Sequence, residues 1–166
     1  MKLGDGVEAA IHCVTLLAGA GPSAVMPAKA LAEFHGVSPS YLLKHLKLLV
    51  AADILESIPG PSGGYRLIRV ADAISLLDIV LAVEGSAPAF RCQEIRQRGP
   101  CPLKSSLYAG PCGINKAMLK AEQAYRGVLA ETRISDLVQD YNATSDHRII
   151  DRGIAFVTQN MRPFRT

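Results

Sequence analysis

The chain has 166 residues, of which 49% are hydrophobic and 20% are charged, and this composition is typical of a folded, soluble protein rather than a disordered one. Its formal net charge of +3 is compatible with nucleic-acid binding but does not require it, so the local placement of basic residues decides that question. No apolar run has the length of a membrane span, and the first residues carry charges and glycines where a signal peptide has an apolar core. We therefore expect a cytoplasmic protein, with its four cysteines mostly reduced.

The first predicted helix begins at Asp5 and ends within residues 19–22. Glu8 follows Asp5 by three positions, a spacing that predicts a capping box in which the Glu8 carboxylate accepts from the backbone of Asp5. His12 and Cys13 lie on the same helix. We expect both of them to be packing residues.

Residues 27–69 predict a winged helix-turn-helix, because two short helices separated by Gly36 are followed by a glycine-rich hairpin. Ser38 suits the N-cap of the second helix and Pro39 suits its first position, where a missing N–H costs nothing. Leucines recur along this helix at steps of three and four residues and predict its buried face. The opposite, polar face is predicted to carry Ser40, Tyr41, Lys44, His45 and Lys47.

The hairpin combines strand-like segments at 54–58 and 65–69 with the turn PGPSGG at 59–64. In modules of this kind the second helix enters the major groove, while serines, basic side chains and backbone N–H groups bind phosphates. The residues predicted to contact DNA are Ser38, Ser40, Tyr41, Lys44 and Lys47 on the helix, and Ser62, Gly63, Gly64, Tyr65 and Arg66 on the wing. The alternative is a winged fold that binds another protein and leaves its lysines solvated.

The spacing of Ser75 and Asp78 predicts a second capping box at the start of a short buried helix. This helix stops before Gly85 and completes a DNA-binding domain over residues 1–85. Residues 86–112 predict a long loop with little periodicity. A long loop in a compact chain usually has a function, and this one contains Cys92, Cys101 and Cys112.

Residues 113–138 predict a dimerisation helix, with a short helix or cap at its end from Ile134. Its apolar stripe suits pairing with a second copy, since winged regulators usually read two half-sites as two-fold dimers. Packing within one chain is the alternative. The stripe consists of Ile114, Met118, Ala121, Tyr125 and Val128. Residues 139–166 form a tail to which the sequence assigns no role.

The spacing of the cysteines restricts what they could bind. Zinc sites use pairs separated by two to four residues, whereas the gaps here are eight and ten residues long. A widely spaced, arginine-flanked set suits either an exposed iron–sulfur cluster or reactive thiols. The sequence contains no phosphate loop, nucleophile elbow or paired carboxylates, so we do not expect an enzyme.

Four segments resemble the Rrf-type winged-helix iron–sulfur regulators, the family that includes IscR and NsrR: VSPSYLLKHLKLL, PGPSGGYRL, ISLLDIVLAVEG and the cysteine loop. The resemblance covers nearly all of residues 1–138. It implies a mainly α fold with a small β-wing, namely a winged helix-turn-helix domain plus a long dimerisation helix. It also implies a homodimeric transcriptional regulator that senses redox state, nitric oxide or iron supply. We expect this regulator to be a repressor that binds promoter DNA.

The cysteine spacing departs from the closely spaced triplet of IscR and NsrR and is more similar to that of the redox-sensitive member RsrR. This resemblance implies a 2Fe–2S cluster held by Cys92 and Cys112 of one subunit with Glu8 and His35 of the partner subunit, and it changes the expected role of Glu8 from cap to ligand. Cys101 is an alternative ligand. The alternative role for His35 is that of a histidine in a turn that caps a helix. A further alternative is a regulator that has no cluster and whose thiols form a disulfide.

Overall fold

The structure is a computed structural model that describes residues 3–101 and 103–163. Residues 1–2, 102 and 164–166, which fall in the predicted DNA-binding domain, cysteine loop and tail, lie outside the described residues. The helices are α1 (Asp5–Ala20), α2 (Ala28–Phe34), α3 (Pro39–Ala51), α4 (Leu76–Glu84), α5 (Gly113–Glu131), α6 (Ile134–Thr144) and α7 (His147–Asn160). The strands are β1 (Ala24–Val25), β2 (Leu55–Ile58), β3 (Gly64–Leu67) and β4 (Arg162–Pro163).

Contacts divide the chain into two compact parts, Ser86–Val128 and the remainder, 3–85 with 129–163. The remainder contains the hydrophobic core, where α1 packs against α3, α4 and α6. Fully buried side chains come from each of these helices and from α2, and burying one of this size contributes about 1.5–3 kcal/mol. The largest of them include Leu17, Leu31, Leu42, Leu46, Leu49, Ile79 and Ile134.

The helix caps explain where several helices begin. Ser38 accepts a hydrogen bond from the N–H of Tyr41 at 3.2 Å, and Ser75 forms a complete capping box with Asp78, so both predicted caps are confirmed. The capping box predicted for Glu8 is wrong. The N-cap of α1 is Gly4, whose N–H donates to Oε1 of Glu84 at 2.9 Å, because α4 brings a carboxylate from elsewhere in the chain to this helix end.

The wing is an antiparallel hairpin of β2 and β3 that begins four residues after α3. Gly64 permits a close backbone approach, since a Cβ at this position would come within 2.4 Å of the Met26 carbonyl oxygen. Met26 and Tyr65 exchange backbone hydrogen bonds there, which joins the wing to the segment between β1 and α2. The mainly α fold with a small β-wing is therefore confirmed.

Residues 113–138 form two helices rather than one, because the chain leaves α5 after Glu131 and begins α6 at Ile134. The start of α6 is bonded to the start of α4, where Ile134 N–H donates to the Ile74 carbonyl at 3.0 Å. The tail contains α7 and β4. Among the described residues, no helix combines the length and apolar character needed to cross a membrane.

Candidate DNA-binding surface and metal ligands

One side of α3 presents an exposed polar face. Ser40, Lys44 and Lys47 are exposed and recur at steps of four and three residues, which places them side by side on a helix. Leu42, Leu46 and Leu49 are buried on the opposite side. The hydroxyl of Ser38, also exposed, lies 3.4 Å from that of Ser40. This face of α3 has the residue types that bind phosphates and base edges.

Tyr41 and His45 lie between these two faces. Tyr41 is half-buried, and its ring meets that of His45 edge-on with 4.8 Å between centroids. His45 is directed at α1, where a Cβ added to Gly6 would lie 2.1 Å from its Cε1 atom. The prediction that His45 shares the lysine face is therefore wrong, because successive residues turn by about 100° around a helix of 3.6 residues per turn and His45 falls on the flank that faces α1.

The wing residues divide into exposed and buried ones. Ser62 is exposed at the turn, whereas Gly63 is buried, and a Cβ on Gly63 would come within 2.0 Å of the Ile58 carbonyl oxygen. Arg66 forms an ion pair with Glu56, its partner residue on β2. The glycines thus shape the turn, and Ser62 is the side chain most open to a ligand.

The two ligands expected from the first part of the chain, Glu8 and His35, line one cavity of about 450 Å³. Glu8 is exposed on the first turns of α1, and His35 follows directly after α2. Tyr41 of α3 forms part of the same wall, so the predicted recognition helix borders this cavity. The full lining is Asp5, Glu8, Ala9, His12, His35, Val37 and Tyr41.

His35 has the properties of a neutral imidazole without a hydrogen-bond partner at one nitrogen. Its Nε2 atom is buried and finds no partner among the residues that the structure describes. Burial, and to a lesser extent the nearby His12 at 5.6 Å between ring centroids, lowers the pKa of His35 to about 4. The neutral form is the one that binds metals. Phe34 contacts the ring edge-on at 5.0 Å and helps to fix its orientation.

In the second part of the chain, Arg96 lies close to two of the three loop cysteines. The pKa of Arg96 is raised, first by its hydrogen bond to Glu94 and further by the charges of Cys112 and Cys92. The guanidinium also lies over the ring of Tyr108, 5.1 Å from the centroid. The charges of Cys92 and Cys112, which have nineteen residues between them in the sequence, thus both act on the guanidinium of Arg96.

Cys112 lies immediately before α5, and its carbonyl accepts from the Lys116 N–H at 3.0 Å. The backbone N–H groups of Asn115 and Ile114 lower the pKa of the Cys112 thiol, and Arg96 lowers it further, because all of them stabilise the thiolate. The thiolate is the form that binds metals.

The other two cysteines have different surroundings. Cys101 is exposed. Cys13 is buried in the core, where desolvation raises the pKa of its thiol to about 12, so the prediction that it is a packing residue is confirmed. In the described part of the chain, no group of three or more His, Cys, Asp or Glu side chains has the arrangement of a metal site. The four residues expected as ligands are thus two half-sets, Glu8 with His35 at the cavity and Cys92 with Cys112 in the cysteine loop.

Sequence reasoning missed several residues at these sites. Asp5 and His12 line the cavity because helix periodicity places them on the side of α1 that carries Glu8, a pattern visible in the sequence. The prediction that His12 is a packing residue is therefore wrong, because His12 is exposed on this side of the helix. Arg96 is one of the four basic residues of the cysteine loop, and no spacing rule distinguishes it from Arg91 or Arg98.

Comparison with known proteins agrees with the winged-helix geometry described above. Residues 3–140 match the family model of Rrf2, described as "Iron-dependent Transcriptional regulator". YwgB of Bacillus subtilis (strain 168) is 28% identical over 153 residues, which cover 91% of this chain and 93% of YwgB. The HTH-type transcriptional regulator IscR of Sodalis glossinidius (strain morsitans) is 38% identical over 80 residues, 48% of this chain and 47% of that protein.

Solved structures show the same fold. The structure of T. potens IscR superposes with a TM-score of 0.65 at 23% identity and covers 88% of this chain and 93% of that one. The related proteins named for a function are transcriptional regulators rather than enzymes, in agreement with the winged helix and its basic face. The chain belongs to the Rrf2 family and is a DNA-binding transcriptional regulator.

Proposed function

We propose that this chain is a homodimeric repressor that senses redox state, nitric oxide or iron supply through a 2Fe–2S cluster. The observation that carries the proposal is His35, whose Nε2 atom is buried with no hydrogen-bond partner in residues 3–101 and 103–163, at a cavity that Glu8 and Tyr41 also line. A buried nitrogen left unpaired costs free energy unless a ligand, a metal or a water satisfies it. An iron ligand role gives this nitrogen a partner.

The donor types fit a cluster of this kind. Cys92 and Cys112 offer two sulfur ligands, and Glu8 and His35 offer a carboxylate and an imidazole. Two irons with two protein ligands each need four such groups. When bound, the cluster supplies one-electron redox chemistry, and oxygen and nitrogen ligands raise its potential relative to four thiolates.

We further propose that each cluster is held by one half-set of ligands from each of two subunits. Cys92 and Cys112 of one subunit would bind the cluster together with Glu8 and His35 of the partner subunit. The support for a homodimer comes from α5, where Ile114, Met118 and Val128 are 66%, 44% and 64% exposed. Apolar side chains on one face of a helix are usually covered by a partner.

The residues at the cavity also connect the expected ligands to the helix that we place on DNA. His35 is separated from Ser38, the N-cap of α3, by Gly36 and Val37, and Val37 lines the same cavity. Gly36 has a φ of +65°, a conformation that favours glycine, and this fixes the turn between α2 and α3. A change at His35 therefore acts within three residues of the helix that we place in the major groove.

On the DNA side we assign the contacts to Ser38, Ser40, Tyr41, Lys44 and Lys47 on α3. The wing contributes Ser62 and Arg66 with the backbone of Gly63, Gly64 and Tyr65. The exposed lysines would bind phosphates, and Ser40 with Tyr41 lies nearest to base edges, since the first turns of a recognition helix approach the bases.

The test is the colour and iron content of full-length protein purified without oxygen. We expect visible absorption with iron and sulfide in the wild type, and its loss in Cys92→Ala and Cys112→Ala. Cys101→Ala is the matched control, an exposed cysteine of the same loop, and should keep the spectrum. His35→Ala and Glu8→Ala should shift or weaken the absorption while far-UV circular dichroism stays unchanged.

Two results would contradict this assignment. A colourless Cys101→Ala beside fully coloured His35→Ala and Glu8→Ala would show that Cys101 is a ligand and that the carboxylate and imidazole are not. A colourless wild type in which Cys92 and Cys112 form a disulfide on oxidation, detected by mass spectrometry, would instead support a thiol-based regulator without a cluster.

A further inference from the structure

The last described residues of the chain pair with β1 and reach the wing through the side chain of Arg162. Residues 161–163, here called the C-terminal strap, follow α7, and β4 within them pairs antiparallel with β1. Met26, the residue after β1, exchanges backbone hydrogen bonds of 3.0 and 2.8 Å with Tyr65 of β3. The strap and the wing are thus joined to the same short segment.

The side chain of Arg162 reaches the wing turn itself. Its Nη1 atom donates to the carbonyl oxygen of Pro61 and, at 3.4 Å, to that of Gly63. The turn is closed by a hydrogen bond of 2.9 Å from the Gly63 N–H to the Gly60 carbonyl. Hydrogen bonds from a charged donor are stronger than neutral ones, so one guanidinium holds two carbonyls of this turn.

Packing of α7 fixes the point from which the strap starts. Phe156 lies against Phe34 of α2 with 5.1 Å between ring centroids. The helix ends where the Met161 N–H donates to the Val157 carbonyl at 2.7 Å, and Phe156 and Val157 both pack on the core. The strap is therefore attached to the core on one side and to the wing on the other.

We propose that Arg162 is a positioning residue for DNA binding, which holds the wing turn in the shape that presents Ser62 and the adjacent backbone to a DNA phosphate. This inference rests on the proposed function in one respect, that the wing contacts DNA. Ser62 is exposed and Gly63 is buried, so the turn conformation decides where the Ser62 hydroxyl lies. A turn that is ordered before binding loses less conformational entropy when DNA arrives.

The strap lies beyond residues 3–140, the range that the Rrf2 family model covers. Membership of the family therefore does not by itself supply this contact. It follows from three features of this chain: the pairing of β4 with β1, the packing of Phe156, and the two bonds of Arg162.

The experiment compares full-length Arg162→Ala, Arg162→Lys and the control Arg148→Ala. Arg148 is also in the tail, is 80% exposed and pairs with Asp146, so its loss removes the same charge without touching the wing. The probe is a labelled duplex that the wild type selects from a random library, and Kd is measured at several salt concentrations. Arg162→Ala should bind about tenfold more weakly, as expected for loss of a charge-assisted hydrogen bond, with an unchanged salt slope.

Arg162→Lys should recover part of this affinity, because an ammonium can still donate to one carbonyl, and Arg148→Ala should bind like the wild type. A second readout needs no DNA. In the free protein, hydrogen exchange at the Gly63 and Tyr65 amides should be faster in Arg162→Ala than in the wild type, while the amides of α3 keep their protection.

Four outcomes would overturn the inference. Unchanged affinity of Arg162→Ala would show that the strap does not matter for binding. A salt slope reduced by about one unit would show a direct phosphate contact instead of positioning. Unchanged exchange at Gly63, in a wild type that binds the duplex, would contradict the inference and leave the proposed function intact. A wild type that selects no duplex would contradict both.

Discussion

The Cε1 atom of His45 lies 2.1 Å from the position that a Cβ on Gly6 would occupy, so α1 and α3 touch at a point where only glycine fits. On its other side the imidazole meets the ring of Tyr41, 4.8 Å away between centroids. The contact therefore sets the distance between the helix that carries Glu8 and the helix that we place on DNA.

Replacing Gly6 by alanine should destabilise the protein by about 1–3 kcal/mol, because a methyl group in a filled site forces backbone or side-chain shifts. Urea unfolding measures this loss. Gly19→Ala is the matched control in the same helix, where an added Cβ meets nothing within 4 Å, and it should leave stability equal or slightly higher. Gly6→Ala should cost much less in a His45→Ala background, and equal costs in both backgrounds would contradict the contact.

The lysines of α3 should bind DNA without regard to its sequence. We expect Lys44→Ala and Lys47→Ala each to weaken binding to all duplexes and to lower the salt slope by about one unit, since each removes one phosphate contact. Ser40→Ala and Tyr41→Phe should instead change the preferred sequence, as read by selection from a random library. Four variants with wild-type affinity and preference would place the recognition surface elsewhere.

The apolar stripe of α5 should form the dimer interface. Met118→Glu and Val128→Glu should produce monomers in light scattering, because a buried carboxylate without a partner opposes association. Lys116→Glu, at an exposed position on the other side of the helix, is the control and should stay dimeric. Dimers in all three variants would show that another surface joins the subunits.

Asp78 should make stability depend on pH in the acid range. Partial burial raises the pKa of its carboxyl, but hydrogen bonds from Ser75 and Arg69 outweigh burial and bring the pKa below its ordinary value of 3.8. A carboxyl whose pKa is lower in the folded state stabilises the fold above its unfolded pKa and loses this contribution as pH falls through the folded value.

Asp78→Asn should therefore cost about 1 kcal/mol at neutral pH, the usual value of a helix cap, and nothing in strong acid. Urea unfolding across pH would show the two curves converging as pH falls. Asp72→Asn, an exposed neighbour that precedes the cap, should follow the wild type throughout. A gap between wild type and Asp78→Asn that persists in acid would contradict this account.

The sequence was sufficient for elements whose causes are local. Ser38 and Ser75 begin helices in the predicted way because an N-cap needs only a hydroxyl and the next turn of backbone. The wing was predictable because its glycines and prolines mark the turn directly. The fold class followed from these local signals together.

Long-range contacts were not predictable in the same way. The N–H of Gly4, the N-cap of α1, donates to Glu84, and the partner of Arg162 is the wing turn, so neither contact has a signal in its own neighbourhood. Helix periodicity placed the leucines of α3 correctly, but it could not predict that His45 contacts Gly6, because the element that a helix flank meets depends on packing. For the same reason, spacing alone could not separate Arg96 from other arginines of its loop.

The pairing of β1 with β4 has a consequence for synthesis of the protein. It joins Val25 to Arg162, so it encloses nearly the whole described chain. Arg162 leaves the ribosome only after every residue that it contacts, and contacts so distant in sequence form late because closing a long loop costs entropy. A nascent or truncated chain that ends after α6 would hold the residues of the recognition helix but lack the strap, and therefore could not form the completed wing of the finished protein.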